Sequence, residues 1–294
     1  MLPTIALIIA TGSVSQVAPA RLQFRADVEI VQVDVFVTRG SQAVTDLKSR
    51  EFEVYDNGVS QEVQLLERES IPLTAVLVLD SSASLAGRKL TDLQTAVRAF
   101  VDVLEPNDRV ALLAFSSHLE ILADLEATRE TTLEALSTMR AEGATSLHDA
   151  LYAGLTIGSQ STGSLLLVFT DGRDTFSWLT SDDVLDVVRK TDSLVYVVTT
   201  EPKQPADWQR RVPKVYDPTV PFLGKVASAG GGTVFSLDSL SELERVFLSI
   251  LAEMKTRYRL YYYPQGVERP GWHDLKVKVR RRGVQVRARP GYWR

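Results

Sequence analysis

Two apolar runs without polar alternation, Ala75-Val76-Leu77-Val78-Leu79 and Leu165-Leu166-Leu167-Val168-Phe169, constrain this chain more than any other feature of its 294 residues. A strand that is apolar on both faces has to be covered on both faces, which is the condition of a central strand in a parallel sheet flanked by helices. Each run ends on a carboxylate, Asp80 directly and Asp171 after Thr170. Open α/β sheets take ligands at the carboxyl ends of their strands. The sequence therefore predicts two acidic groups at the ligand-binding edge of one sheet.

The residues around them narrow the chemistry. Asp80-Ser81-Ser82-Ala83-Ser84 follows the first run, and a helix is predicted over about Arg88 to Leu104, with Leu90, Leu93, Val97, Phe100, Val101 and Leu104 at helical spacing. Hydroxyl oxygens are weak neutral ligands, suited to a cation that prefers oxygen: Mg2+, or Mn2+ or Ca2+, rather than zinc. The chain has no cysteine. A helix N-terminus disfavours a cation, so the serines need further carboxylate charge from another loop, which Asp171 supplies. Between the two strands, Gly143-Ala144-Thr145-Ser146-Leu147-His148-Asp149 reads as a loop entering a helix, with Leu147, Leu151 and Leu155 on one face. Three separate loops thus offer Asp80, Ser82, Ser84, Thr145 and Asp171. Taken singly each has an ordinary explanation: Ser84 as the cap of the first helix, Thr145 or Ser146 as the cap of the later one, Asp171-Gly172 as a turn, with neighbouring Asp174 a solvated loop carboxylate.

Taken together, in this order and at strand ends, these residues resemble the von Willebrand factor type A domain. Its metal-ion-dependent adhesion site has the pattern Asp-x-Ser-x-Ser, then a Thr, then an Asp. The resemblance covers about Leu73 to Met254. It implies that Ser82 and Ser84 bind a divalent metal directly, that Thr145 joins or leaves, and that Asp80 and Asp171 act directly or through water. A further coordination position would be left for an acidic group of a partner. The chain departs from the pattern at Ala144, where many relatives have glycine. Glu201 to Pro221, rich in proline and carrying Trp208 and Tyr216, reads as an inserted surface loop.

The expected fold is α/β: a doubly wound, mainly parallel, Rossmann-like sheet over residues 73–256, flanked by a small discontinuous β domain. Its N-terminal part, 24–70, holds a long strand with Val31, Val33, Val35 and Val37 on one face. Glu51 to Val59 then gives a second strand and a tight Asn57-Gly58 turn, with Glu62 to Leu66 as its partner. The C-terminal part, 257–294, holds strands at Arg257 to Tyr263, Trp272 to Arg280 and Gln285 to Arg289, the last two read as one hairpin across Arg282-Gly283. Its basic residues, Lys276, Lys278, Arg280, Arg281, Arg282, Arg287 and Arg289, alternate with apolar ones, so they read as a solvated strand face rather than a nucleic-acid surface. Residues 1–20 resemble a signal peptide ending in Ala18-Pro19-Ala20, which points to an exported, periplasmic or extracellular protein. No other segment approaches the ~20 apolar residues of a membrane span.

Enzyme chemistry finds little support. There is no Gly-x-Ser-x-Gly elbow, and a haloacid-dehalogenase-type hydrolase would want a second Asp where Ser82 stands. His118, His148 and His273 are the only histidines. The expectation is a non-enzymatic, divalent-metal-dependent, adhesion-type module that binds a protein ligand presenting Asp or Glu. The alternatives are a metal-dependent phosphoester hydrolase and a structural module without metal-dependent binding.

Overall fold

Val31, Val33, Val35 and Val37 share one face of β1 (Val31–Arg39), and that face is buried; on the other face Asp34 and Phe36 are buried as well, so β1 is covered from two sides. The computed structural model describes residues 30–40, 42–66, 72–200, 219–267 and 270–294, so the leader expected at 1–20 and nearly all of the loop expected at Glu201 to Pro221 lie outside the described residues. After β1, β2 (Gln42–Ala43) folds back on its end, then β3 (Phe52–Asp56) and β4 (Val59–Gln61) form a hairpin, and β5 (Gln64–Leu66) follows. Asn57 and Gly58 both take positive φ, 47° and 82°, the conformation a two-residue hairpin turn requires. That turn aligns Asp56 with Val59 and Val54 with Gln61, so the partner of β3 is Val59–Gln61 and not Glu62 to Leu66 as expected. Beyond Gln61 the chain leaves for the other sheet.

The α/β body then runs β6 (Thr74–Asp80), α1 (Arg88–Asp102), β7 (Arg109–Phe115), β8 (Leu119–Ala123), α2 (Arg129–Thr138), α3 (Leu147–Gly158) and β9 (Leu165–Thr170). It continues with α4 (Ser181–Lys190), β10 (Leu194–Thr200), α5 (Thr219–Ala229), β11 (Val234–Leu237) and α6 (Leu243–Lys255). The sheet order is β11-β10-β9-β6-β7-β8, parallel except for the antiparallel edge pair β7–β8. The two apolar runs lie side by side, Ala75 opposite Leu165 through Leu79 opposite Phe169. Alternate residues of β6 enter different cores: Ala75, Leu77 and Leu79 meet residues of α1 and α6, whereas Val76 and Val78 meet residues of α3, α4 and α5. The chain moves outward from β6 to β7 and returns on its other side to β9, so the strand order reverses between β6 and β9. A reversal of this kind leaves a crevice at the carboxyl ends of the strands.

The chain closes with β12 (Tyr258–Tyr262), β13 (Trp272–Val279), β14 (Gln285–Ala288) and β15 (Gly291–Trp293). Terminal strands from both ends pair: β14-β1-β12-β5 forms one antiparallel sheet and β15-β13-β3-β4 another, with a shared core that includes Val33, Val35, Val54, Leu260, Tyr262 and Leu275. The expected hairpin across Arg282-Gly283 is not formed. β13 pairs with β3 and β15, and β14 pairs with β1. The reason lies in the apolar faces: Val277 and Val279 on one strand, and Val286 on the other with Val284 just before it, enter the same core from opposite sheets, so the link turns a corner between layers. Several of the basic residues there are already engaged: Arg280 with Glu53, Arg281 with Glu51 and Asp46, Arg287 with Glu253, and Arg289 with Asp192.

A buried ion pair fastens this sandwich to the body. Arg259 donates from Nε and Nη2 to the two Asp34 oxygens at 2.9 and 3.0 Å, and from Nη2 to the Gly163 carbonyl at 3.3 Å. Gly163, with φ of 66°, leads into β9, and a Cβ there would collide with the guanidinium. Arg257 lies 3.6 Å from the same carboxylate and donates to Met254 O at 2.6 Å. Removing the carboxylate leaves buried guanidinium charge without its partner, so Asp34→Ala is expected to cost about 3–5 kcal/mol in urea unfolding. The double change Asp34→Leu with Arg259→Met is expected to recover part of that loss, because it removes one of the two buried guanidinium charges, while Arg257 still loses the carboxylate.

Candidate metal centre

Asp80 ends β6, fully buried, with both oxygens committed. Oδ1 accepts from Ser82 N at 2.8 Å, which curls the chain immediately after the strand, and Oδ2 accepts from Thr170 Oγ1, at the end of neighbouring β9, at 2.7 Å. Burial raises the Asp80 carboxyl above the usual carboxylate range against the pull of these hydrogen bonds, and the charge of Asp171 adds to the rise. Positive charge in this crevice would relieve both effects.

The hydroxyls follow from the same turn. Ser82 Oγ and Ser84 Oγ lie 3.0 Å apart, and Ser84 Oγ donates to Asp171 Oδ1 at 2.6 Å. The third loop is laced to the first by Ala83 N to Gly143 O at 3.1 Å and Glu142 N to Ser81 O at 2.8 Å. Thr145 is buried on it, its Oγ1 3.8 Å from where a Cβ on Gly172 would stand. Asp80, Ser82, Ser84, Thr145 and Asp171 are therefore brought to one crevice by three loops.

Two ordinary explanations for these residues do not match the geometry. Ser84 does not cap α1, which begins after Gly87 with no side-chain cap. Neither Thr145 nor Ser146 caps α3 by its side chain: Ser146 stands at the cap position without the bond. That task falls to Asp174, whose Oδ1 accepts from Leu147 N at 2.8 Å, His148 N at 3.3 Å and Ser177 Oγ at 2.5 Å. Asp174 is thus a helix-capping group and not the solvated carboxylate expected, because free N–H groups at a helix start need an acceptor and this loop returns to them. Ala144 causes no distortion. The left-handed position in its loop is Gly143, at φ of 77°, where a Cβ would stand 2.6 Å from Ser117 Oγ.

Lys89 was not foreseen. Its Nζ donates to Asp171 Oδ2 at 2.7 Å while its side chain stays 50% exposed. Nothing in its spacing from Ser84 marked it, since its direction depends on the turn at Gly87 (φ 78°) that starts α1. Thr170, by contrast, was legible as the polar end of an apolar strand. The histidines lie elsewhere: His148 Nδ1 is 3.1 Å from Leu179 O with its ring 4.7 Å from Phe222, and His273 sits 2.8 Å from Asp56 in the sandwich core. His118 lines a small polar cavity of about 120 Å³ with Ser81, Ser116 and Glu120.

Two carboxylates and three hydroxyls form an all-oxygen set that fits a hard divalent cation. Oxygens at right angles about an ion bound at 2.0–2.1 Å stand about 3 Å apart, the spacing of Ser82 and Ser84. Among the described residues no group of three or more His, Cys, Asp or Glu is placed to hold a metal, so a centre here would depend on the hydroxyls. Replacing the capping carboxylate by Asp174→Ala is expected to lower stability by about 1–2 kcal/mol, read as a shift in the urea midpoint at constant slope.

Comparison with known proteins bears on the family and the fold. The von Willebrand factor type A domain profile matches residues 75–248, more than half of the chain. An uncharacterized protein of Synechocystis is 29% identical over 109 residues, 35% of this chain and 26% of its own length. Inter-alpha-trypsin inhibitor heavy chain H4 of Bos taurus is 29% identical over 135 residues, 41% of this chain and 15% of its own. A UPF0353 protein of Mycobacterium avium is 25% identical over 232 residues, 70% of this chain and 66% of its own. The chain thus spans only a small part of the first two relatives. A von Willebrand factor type A structure from Catenulispora acidiphila superposes with a TM-score of 0.52 at 12% identity, over 92% of this chain and 75% of that one. Proximal thread matrix protein 1 of the mussel byssus, solved with a zinc-occupied MIDAS motif, does so at 0.53 and 13% identity, over 67% and 49%. With the profile match spanning both apolar strands, the chain belongs to the von Willebrand factor type A domain family.

Proposed function

We propose that this protein is a non-enzymatic, divalent-metal-dependent protein-binding module of adhesion type, with Asp80, Ser82, Ser84, Thr145 and Asp171 as the metal site and Mg2+, or Mn2+ or Ca2+, as the ion. The family commonly mediates metal-dependent protein interactions, and its domains are usually interaction modules rather than enzymes. The observation that carries the reading is the convergence of three loops at the switch point, with Ser84 bridging to Asp171 at 2.6 Å.

Each residue has a distinct task. Asp80, fixed by Ser82 N and Thr170, holds negative charge beneath the serines. Ser82 and Ser84 turn their oxygens into the crevice, Thr145 closes it from the third loop, and Asp171 adds the charge that neutral hydroxyls lack. A bound dication would supply a coordination position for the Asp or Glu of a protein partner. The oxygen-only set favours Mg2+ over the zinc found in the mussel protein, since nitrogen and sulfur donors are missing from it. An exported, periplasmic or extracellular setting suits the apolar leader; among the described residues no helix is long and apolar enough to cross a membrane.

Mg2+ at about 100 times its dissociation constant is expected to stabilise the protein by about 2.7 kcal/mol, reversed by EDTA and absent in Asp171→Ala. Identical urea midpoints with and without Mg2+, Mn2+ and Ca2+ would end this reading. Lys89 competes with an ion for the Asp171 carboxylate, so Lys89→Met is expected to tighten Mg2+ uptake severalfold in calorimetry. Weaker uptake in that variant would instead make Lys89 a support for Asp171.

A further inference from the structure

Trp178 is 92% exposed and Phe176 53%, on the loop that leaves Asp171 and runs to α4. Large apolar side chains in water are ordinarily scattered singly, whereas these two stand two positions apart on a loop fastened along its length. Thr175 N and Phe176 N both donate to Thr145 O, at 2.9 and 3.1 Å. Ser177 Oγ accepts from His148 N at 3.0 Å and Asp149 N at 3.2 Å. Asp149, in the first turn of α3, accepts from Trp178 N at 3.1 Å and Leu179 N at 2.9 Å. The backbone beneath the aromatics is thus tied to the residue that closes the candidate metal site and to the helix behind it. Their exposure follows from the fold rather than from fraying.

We propose that Phe176 and Trp178 form the apolar half of the binding surface whose polar half is the metal site, and that the partner is a protein segment carrying a large aliphatic or aromatic side chain beside its Asp or Glu. This rests on the metal-dependent reading above. A rigid aromatic anchor loses little conformational entropy on binding, and Trp is among the residues on which interface energy concentrates. One loop carries Asp171, Phe176 and Trp178, and Phe176 N is bonded to Thr145 O, so a segment whose carboxylate reaches the ion has the two aromatics within its reach. The neighbouring charge argues for a protein segment held by the ion rather than an anionic membrane: Asp149, Asp174, Asp182 and Asp183 outnumber Arg173 around the loop's return to α3 and α4, so an array of phosphate headgroups is repelled, whereas the dication offsets that repulsion for a single partner carboxylate.

The test uses the whole chain and a library of peptides with a fixed central Asp and randomised flanks, selected in Mg2+ and titrated against wild type, Trp178→Ser and Phe176→Ser, with Mg2+ uptake measured on each protein. The expected result is enrichment of Leu, Ile, Phe or Trp next to the Asp, at least tenfold weaker binding by Trp178→Ser at matched Mg2+ occupancy, and loss of binding in EDTA. Peptides that bind in Mg2+ with no apolar preference, or equally well to Trp178→Ser, overturn the aromatic half and leave the metal reading standing. Binding that depends on Trp178 but survives EDTA overturns the joint surface together with the metal reading. Failure to select any peptide overturns the proposal, as does Trp178-dependent sedimentation with phosphatidylserine vesicles, which would make the pair a membrane anchor.

Discussion

The pairing of β6 with β9 is the constraint from which the rest follows. Both strands are apolar on each face, so they are stable only inside the sheet under helices on both sides, and their register brings Leu79 opposite Phe169. One residue further on, each strand ends in a polar group, and Thr170 Oγ1 meets Asp80 Oδ2 in a dry environment where an unpaired carboxylate would be costly. The hydrogen bond orients Asp80, Asp80 orients Ser82 N, and the turn so defined directs Ser84 to Asp171. The candidate site is the place where the core runs out.

Much of this was legible because it rests on local rules. An apolar run with no alternation has few alternatives, and a carboxylate at its end has to face the sheet edge. The alternation of strand and helix in the body followed from the two apolar runs and from the helical spacing after them. What escaped depended on partners distant in the chain. Asp174 looked solvated because nothing in its neighbourhood shows that Leu147 and His148 present free N–H groups to it. Lys89 reaches Asp171 across 82 positions.

The terminal strands show the same division. Their existence and apolar faces were readable, but alternation says only which side of a strand is buried and not against what. Val277 and Val284 could lie side by side in a hairpin or face each other across two sheets, and a local pattern is identical in both cases. The choice is made by β1, which pairs with β14 on one side and β12 on the other and leaves β13 to β3. Likewise, Val59–Gln61 took the partnership with β3 because the turn sets registry, while the Gln64–Leu66 strand was claimed by β12.

α6 ends at Lys255 and β12 begins at Tyr258, so the last helix of the body passes into the middle of the sandwich across only two residues. Arg257 holds the helix terminus through Met254 O, and Arg259 grips Asp34 on β1. A piston stroke of α6 along its axis would therefore haul β12, and with it β1, or else tear the guanidinium from its carboxylate. The sandwich acts on that helix as ballast.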